Sequence, residues 1–325
     1  MTSDTRTEAV RRPAPHRADA FHALHHTPGR PLLLPNAWDS ASAAALAAAG
    51  HAAIGTTSLG IAAALGHPDG EGLPAVRDAT LALARRLAGR LPCPYTVDIE
   101  GGFGGGPGQV AELAAELADC GASGINLEDG LPGGGGLQVP ARQAELIAAV
   151  KERVPDLFLN ARIDTHWRVD TPPPLSQTLA RAETYLAAGA DGIFVPGVTA
   201  DADITVLARE IAAPLNILFT PGRHTVRRLA DLGVRRISTG SLLFRTALGA
   251  ACAAADALRA GETGEGQGQG QGQGRSRGSG LVPSYGIEDA PAYGEVQHLA
   301  GEVATGSRGT TGKARQRRSP AARPR

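Results

Sequence analysis

The feature that most restricts the fold of this chain is a regular alternation of short apolar segments with longer segments rich in Ala, Leu and Arg. Eight apolar segments have the length of buried strands, and nearly every one precedes a segment of helical character. Glycines close several of the helical segments, where a left-handed cap is expected. The eight segments read RPLLLPNA, HAAIGTTS, CPYTVDIE, SGINLEDG, LFLNARID, DGIFVPG, PLNILFT and RRISTG.

This alternation predicts an α/β fold. Strands that alternate with helices pair in parallel through right-handed crossovers. Eight such units match a (β/α)8 TIM-type barrel, which typically needs about 250 residues, and the chain has 325. A doubly wound open sheet is the alternative, but no glycine fingerprint follows the first strand. We therefore predict the barrel.

The two ends of the chain differ in composition from its middle. Residues 1–20 are polar and proline-bearing, which predicts a flexible N-terminal arm. Residues 21–260 carry the alternating pattern and are the predicted catalytic domain. Residues 261–325 begin with Gly/Gln repeats and end with a basic stretch, which predicts a low-complexity, disordered tail. We expect removal of this tail to leave folding and turnover unchanged.

Composition limits the possible partners and compartments. The formal net charge is zero, so no overall attraction to nucleic acid or membranes is expected. No apolar run is long enough to span a bilayer, and the polar N-terminus does not resemble a signal peptide, so a cytoplasmic location is expected. The three cysteines are isolated, which disfavours a disulfide framework and a C-x-x-C metal site.

The stretch PYTVDIEGGFGGG, residues 94–106, places Asp98 and Glu100 directly before a run of glycines. Side chains two residues apart on a strand point to the same face, so these carboxylates should repel each other unless a cation separates them. A phosphate-binding loop is disfavoured, because Pro107 stands where the dinucleotide fingerprint needs its last glycine. A divalent-cation site and a strand end with solvated charges remain open.

Other polar residues follow the remaining predicted strands. The active site of such a barrel lies at the carboxyl ends of its strands, so these residues should share one rim. Asp98, Glu100 and Glu128 together suit Mg²⁺ or Mn²⁺, and Asp69 is a further ligand through water. The alternative is that the acids pair with Arg162 and hydroxyls. We favour the metal site, since one arginine does not neutralise so many acids.

The same rim offers groups that suit an anionic substrate. The planar guanidinium of Arg162 is suited to a carboxylate, and Asn160 lies two residues before it. The turn that contains Thr57, Ser58 and Leu59 can present backbone N–H groups and hydroxyls to a second oxygen. A cation and such donors would hold a small 2-oxo acid and stabilise an enolate.

These motifs resemble the isocitrate lyase/phosphoenolpyruvate mutase superfamily over residues 30–260. The matching segments, in order, are LPNAWDSASA, TTSLGIAAALGHPDGE, TVDIEGGFG, GINLEDG, LNARID and AGADGIFVPG. The resemblance implies a Mg²⁺-dependent barrel enzyme with an enolate intermediate. It implies that Asp98, Glu100 and Glu128 bind metal and that Asp69, Glu128 and Arg162 are catalytic. It also implies a homo-oligomer, usually a tetramer with the eighth helix exchanged, or a dimer.

Two departures from the family pattern affect the predicted reaction. The usual Asp-x-Asp pair has Glu100 as its second member. The gating loop LPGGGGLQVP, residues 131–140, lacks the cysteine of the K-x-C-G-H motif found in lyases and the polar residue found in mutases. Cys120 is no substitute, since it precedes the fourth predicted strand at the opposite end of the barrel.

We therefore expect a carbon–carbon lyase or decarboxylase that acts on a small 2-oxo or 2-hydroxy dicarboxylate. Carbon–phosphorus chemistry on a phosphonate and a catalytically silent barrel that binds a carboxylate are the alternatives. Neither nucleic acid nor membrane is an expected partner.

Overall fold

The structure is a computed structural model that describes residues 15–27, 29–167, 169, 171–262 and 290–298. Within these residues, nine parallel strands form one sheet in the order β1-β9-β8-β7-β6-β5-β4-β3-β2. The strands are β1 Leu32–Leu34, β2 Asn36–Ala37, β3 Ile54–Thr56, β4 Tyr95–Asp98, β5 Gly124–Glu128, β6 Phe158–Arg162, β7 Gly192–Val195, β8 Leu215–Leu218 and β9 Arg236–Ser238. The helices are α1 Pro15–Leu24, α2 Ser40–Ala48, α3 Ser58–Ala64, α4 Pro74–Leu87, α5 Pro107–Asp119, α6 Pro140–Arg153, α7 Leu175–Ala187, α8 Asp201–Glu210, α9 Val226–Asp231 and α10 Leu242–Glu262.

The sheet curls round because its two end strands are halves of one barrel strand. Only Pro35 separates β1 from β2. β1 pairs with β9, whereas β2 pairs with β3. Proline lacks an N–H and therefore interrupts a strand ladder. Counted this way, the barrel has eight strands, and the predicted (β/α)8 fold is confirmed.

The helices pack an apolar face against the outside of the barrel. In α5, Val110, Leu113, Ala114 and Leu117 are buried at spacings of three and four residues, which is one face of a helix. Each buried leucine contributes roughly 2 kcal/mol relative to an exposed one. Gly121, which follows α5, has a φ of 92° and ends the helix. This outer layer fixes the strands whose carboxyl ends carry the site.

The barrel interior contains a buried polar layer. Asn126 Oδ1 accepts hydrogen bonds from Asn160 Nδ2 at 2.9 Å and from Arg236 Nη2 at 3.0 Å. Arg236 is fully buried, and burial lowers its pKa to about 9. The sequence alone did not reveal this layer, because its residues come from three strands that are distant from one another in the chain.

The amino-terminal helix covers the opposite end of the barrel. Phe21 of α1 is fully buried and meets the ring of Phe158 edge-on at 5.6 Å, while His25 stacks on Phe158 at 4.1 Å. Residues 15–20 of the predicted flexible arm, residues 1–20, belong to α1 in the structure. Residues 1–14 lie outside the described residues.

Residues 290–298, which we call the C-terminal segment, pack on the barrel mouth. Residues 293–298 are helical, and Val296 is buried against Leu59 and Phe244. The structure thus differs from the prediction of a disordered tail over this part of residues 261–325. The segment's apolar residues are too few to stand out beside the Gly/Gln repeats. The tail's other residues beyond Glu262 lie outside the described part of the chain. No described helix is both long enough and apolar enough to cross a membrane.

Substitution of Gly197 tests how the loop after β7 supports the site. Its φ is +84°, and a Cβ there would lie 2.0 Å from the carbonyl oxygen of His166, beside the Trp167 backbone. We expect Gly197→Ala to lower the free energy of unfolding by about 3 kcal/mol or more, because the backbone has to move. Urea denaturation measures this change.

Gly121→Ala is the matched control for that substitution. Gly121 also has a positive φ, +92°, but a Cβ there would meet nothing within 4 Å. We expect this change to cost only about 1 kcal/mol, from the left-handed backbone alone. Equal losses of unfolding free energy in the two variants would show that the clash of the new Cβ with His166 does not affect stability.

Candidate active site

The candidate site lies at the carboxyl ends of neighbouring strands. Asp98 ends β4, Glu128 ends β5 and Arg162 ends β6. Glu128 and Arg162 are direct partners in the register of β5 and β6, so their side chains leave the sheet next to each other. These three polar side chains lie at one rim of the barrel, where the sequence analysis expects them.

Arg162 is the buried positive charge of the site. Its Nη1 lies 2.6 Å from Glu128 Oε2, while its Nε and Nη2 donate to the two carboxylate oxygens of Asp164 at 2.6 and 3.0 Å. The guanidinium carbon also lies 5.4 Å from the centre of the Trp167 ring and 5.9 Å from that of Phe194. Burial by itself lowers the pKa of Arg162, but the charges of Asp164 and Glu128 outweigh it and raise that pKa well above its usual value.

This clamp leaves part of the guanidinium available. An arginine has five N–H donors in one plane. Two of them donate to Asp164, and Nη1 faces Glu128. The remaining N–H groups lie on the two terminal nitrogens, which is the arrangement that binds a carboxylate through two parallel hydrogen bonds. The role of Asp164 was missed from the sequence, although its position two residues after Arg162 on an extended segment was a usable signal.

Asp98 lies beside Arg162 in a central cavity that both residues line. Asp98 Oδ1 accepts from the Glu100 N–H at 3.2 Å, and the Ser58 hydroxyl is 3.5 Å from Oδ2. Burial raises the pKa of Asp98 to about 6; the charge of Arg162 opposes this rise and that of Asp69 adds to it.

Glu100 points into a different space. β4 ends at Asp98, and Glu100 has a φ of 51°, so strand alternation no longer applies at this residue. Its Oε2 accepts from the Gly72 N–H at 3.0 Å, and it lines a side cavity next to the gating loop. The prediction that both carboxylates share one face is therefore wrong, because the strand is shorter than assumed. Burial, aided by the charge of Asp69, raises the pKa of Glu100 to about 8.

Glu128 connects these spaces. It lines the side cavity and also an outer cavity that Arg162 and Asp69 share. Burial raises the pKa of Glu128 well above its usual value, against the opposing charge of Arg162. Asp129, the next residue, is fully buried; it accepts from Tyr185 Oη at 2.7 Å and pairs with Arg181 at 2.9 Å. Asp129 thus has a structural role behind the site.

Asp69 is held by the C-terminal segment. Its carboxylate Oδ2 accepts from Tyr293 Oη at 2.6 Å. Its backbone N–H donates to Gln297 Oε1 at 2.6 Å, and its carbonyl accepts from Gln297 Nε2 at 3.1 Å. The other carboxylate oxygen, Oδ1, is buried without a hydrogen-bond partner among the described residues. Sequence reasoning identified Asp69 but missed both of the residues that hold it.

The predicted substrate-binding residues divide into two groups. Thr57, Ser58 and Leu59 line the central cavity at the start of α3, where first-turn N–H groups lack partners within the helix. Asn160 is 1% exposed, does not line the cavity, and donates to Asn126, its register partner on β5, which does line it. The structure therefore connects Asn160 to the cavity only through Asn126.

The carboxylates fit a hard cation in chemistry, but the described residues hold no preformed cluster of three acidic, His or Cys ligands. Glu100 Oε1 and Asp69 Oδ1 are both buried without hydrogen-bond partners in this part of the chain. Buried carboxylate oxygens of this kind need a proton or a cation. Glu128, in contrast, is already paired with Arg162. The donor set fits Mg²⁺, and Asp98 and Glu100 enter it from adjacent cavities.

The gating loop contributes no acid or base. Residues Pro132–Gly134 form a 3₁₀ turn, and a bridge joins Gly130 to Leu137. Cys120 follows α5, and its carbonyl oxygen accepts from Tyr95 Oη at 2.9 Å. It lies before β5, at the amino end of that strand, as expected.

Comparison with known proteins identifies the family. The phosphoenolpyruvate phosphomutase family model matches residues 21–259. An uncharacterized protein of Mycobacterium tuberculosis (strain ATCC 25618 / H37Rv) is 45% identical over 75% of this chain and 90% of its own length. The 2-methylisocitrate lyase of Bacillus subtilis (strain 168) is 31% identical over 57% of this chain and 61% of its own length.

A solved structure agrees with this assignment. The crystal structure of "a putative phosphonomutase" from Burkholderia cenocepacia J2315 superimposes with a TM-score of 0.68 at 37% identity, covering 76% of this chain and 99% of the other. The matched region is the barrel, which carries every strand-end residue described above. The chain therefore belongs to the phosphoenolpyruvate phosphomutase family of the isocitrate lyase/PEP mutase superfamily and is an enzyme of this carbon–carbon lyase group.

Proposed function

We propose that this enzyme is a divalent-cation-dependent decarboxylase of a small 2-oxo dicarboxylate, with oxaloacetate as the best-supported substrate. One observation carries the proposal: a buried guanidinium is clamped by Asp164 and Glu128 beside Asp98, under a loop that has no proton donor. The site thus has charge for binding a dicarboxylate, whereas its gating loop lacks the acid that a lyase of this family needs.

Substrate binding follows from the donors that remain. The free N–H groups of Arg162 receive the carboxylate next to the 2-oxo group. The turn of Thr57, Ser58 and Leu59 receives a second anionic oxygen through the N–H groups of Ser58 and Leu59 and the hydroxyls of Thr57 and Ser58. The Thr57 N–H is already donated to the Ala37 carbonyl. These two positions lie on opposite sides of Asp98 along the barrel, since α3 follows β3 and Arg162 ends β6.

The proposed cation is Mg²⁺ or Mn²⁺, with Asp98, Glu100 and Glu128 as its ligands and Asp69 nearby. When bound, it supplies positive charge that stabilises an oxygen on which negative charge develops. Burial, to which the charges of neighbouring acids add, raises the pKa values of all three carboxylates, and such a set of acids supports a cation in this place. Relatives in the superfamily include metal-dependent lyases, which agrees with the proposal.

The gating loop favours decarboxylation over aldol-type cleavage. In oxaloacetate, the C3–C4 bond breaks, carbon dioxide leaves, and the bonding electrons form an enolate between C3 and the 2-oxo oxygen. Water then protonates C3 to give pyruvate, so no positioned acid is required. The oxaloacetate decarboxylase of Ectopseudomonas mendocina (strain ymp) is 31% identical to this chain over 51% of it, which supports this choice.

Carbon–phosphorus chemistry on a phosphonate is the second candidate. The Burkholderia structure named above as a phosphonomutase favours it at 37% identity. The loop again argues against it, since Gln138, the one polar side chain of residues 131–140, lines the side cavity and not the central one. A catalytically silent barrel is less consistent with the intact set of acids around Arg162.

The metal dependence can be tested directly. We expect EDTA to abolish oxaloacetate decarboxylation, and added Mg²⁺ or Mn²⁺ to restore it. Asp98→Ala should reduce kcat/KM by about 100-fold and Glu100→Gln by about 10-fold, because Asp98 lies in the substrate cavity and Glu100 beside it. Pyruvate release measures both. Full turnover in metal-free buffer would refute the proposed requirement for a cation.

The metal-free protein should lose stability as the pH rises. The folded-state pKa values of Asp98, about 6, and Glu100, about 8, lie above their ordinary values of 3.8 and 4.5. The folded state then binds more protons than the unfolded chain between about pH 4.5 and pH 8, so the free energy of unfolding falls across this window.

Thermal melts at pH 5 and pH 8, with and without Mg²⁺, measure this effect. Mg²⁺ should stabilise the protein more at pH 8, where it binds the ionised carboxylates. Glu100→Gln should flatten the pH dependence, whereas Glu183→Gln, an exposed change on α7, should not. A melting temperature that rises from pH 5 to pH 8 without metal would contradict the burial of these carboxylates.

The substrate preference tests the loop argument. We expect measurable oxaloacetate decarboxylation and negligible cleavage of isocitrate or 2-methylisocitrate, since those reactions need an acid from the loop. Cys120→Ala should be kinetically silent, because Cys120 lies at the far end of the barrel. Isocitrate cleavage that rivals oxaloacetate decarboxylation, or inactivation by Cys120→Ala, would overturn this part of the proposal. An assay of phosphonopyruvate turnover distinguishes carbon–phosphorus chemistry, the second candidate, from decarboxylation.

A further inference from the structure

We propose that Tyr293 of the C-terminal segment belongs to the active site: its phenol positions Asp69, and its ring forms the outer wall of the substrate cavity. This inference rests on the proposed function for its substrate, but not for its geometry. Tyr293 lies outside residues 21–259, the part of the chain that matches the family.

The first support is position. Tyr293 lines the central cavity together with Asp98 and Arg162, and it lines the outer cavity together with Asp69 and Arg162. Its ring meets that of Trp167 edge-on, with the centroids 5.5 Å apart. Trp167 in turn lies against the guanidinium of Arg162. A continuous wall of two aromatic rings therefore runs outward from the guanidinium of Arg162.

The second support is the fixation of Asp69. Tyr293 and Gln297 make three hydrogen bonds to this one residue, at 2.6, 2.6 and 3.1 Å. Tyr293 and Gln297 are four residues apart on a helical turn, so both side chains project from one face. With Oδ2 occupied by the phenol, Asp69 retains the buried Oδ1, which has no hydrogen-bond partner among the described residues, for the site.

The third support is the attachment of the segment to the barrel. Arg245 of α10 donates to the carbonyl of Pro291. Val296 is 3% exposed and packs in one cluster with Leu59 and Phe244. Leu59 belongs to the turn that is proposed to bind substrate oxygens. The segment thus contacts the site through Tyr293 and Gln297, and it contacts the supporting elements through Pro291 and Val296.

These contacts predict two separable effects of Tyr293. The phenol orients Asp69, so its loss affects the chemical step. The ring closes the cavity, so its loss affects substrate affinity and the size of the substrate accepted. Tyr293→Phe removes only the first effect, whereas Tyr293→Ala removes both.

The experiment uses the full-length chain with Mg²⁺. We expect Tyr293→Phe to lower kcat for oxaloacetate about tenfold with KM changed less than twofold. We expect Tyr293→Ala to raise KM about tenfold as well. Gly294→Ala is the matched control, since a Cβ at this adjacent residue meets nothing within 4 Å; it should leave both constants unchanged. Circular dichroism and thermal melts establish that each variant is folded.

A binding assay separates this inference from the proposed function. Trp38 and Trp167 are the two tryptophans of the chain, so in a Trp38→Phe background the fluorescence of Trp167 reports on the cavity beside Tyr293. Oxalate, a planar dicarboxylate, is the probe. Tyr293→Ala should weaken oxalate binding about tenfold relative to Gly294→Ala, even if oxaloacetate proves not to be a substrate.

The outcomes are decisive in each case. Unchanged oxalate affinity in Tyr293→Ala would overturn the proposal that the Tyr293 ring forms a wall of the substrate cavity. Unchanged kcat in Tyr293→Phe, with decarboxylation present in the parent, would overturn the positioning of Asp69. The parent enzyme could also lack decarboxylation while its oxalate binding still depends on Tyr293. That result would refute the proposed reaction but support the role of the Tyr293 ring in the cavity wall.

Discussion

The charge balance around Arg162 is the interaction on which the rest of this site depends. Two acids touch the guanidinium, Glu128 at 2.6 Å and Asp164 through two hydrogen bonds. At about 4 Å and an effective dielectric of 20, two unit charges interact by roughly 4 kcal/mol, so each contact matters. One cation nevertheless leaves Asp98, Glu100 and Asp69 without an ion pair among the described residues. These remaining acids, which reach the site from adjacent cavities, are the basis of the proposed cation site.

The sequence predicted the barrel well because its alternation is strong and local. Each of the eight predicted segments contains one strand, and only the first is split, at Pro35. The site was less predictable, since it depends on where strands end. β4 ends at Asp98, two residues before Glu100, whose φ of 51° turns its side chain into another cavity. Asn160 donates to Asn126, which lines the central cavity, and the sequence spacing does not show which of the two reaches the cavity surface.

Long-range contacts were the other limit. The sequence separates Asp69 from Tyr293 by a low-complexity stretch, and nothing in either local pattern indicates that they meet. The same holds for Arg236, which lies 110 residues from its partner Asn126. Composition distinguishes residues 261–325 from the predicted barrel, but an average over that region hides a nine-residue segment with its own contacts to the barrel.

Two elements lie at the mouth of the barrel, and they differ in the entropy that each loses when it becomes ordered. Loop 131–140 has four consecutive glycines, which lose the most backbone freedom when a loop becomes ordered. The C-terminal segment is instead held by the buried Val296, by a hydrogen bond from the Arg245 side chain to the Pro291 carbonyl, and by the Gln297 amide on Asp69. The strands fix the charges of the site, whereas these two elements lie over its mouth. Trp167 follows β6 within the barrel, but Tyr293, the ring that it meets, comes from the C-terminal segment.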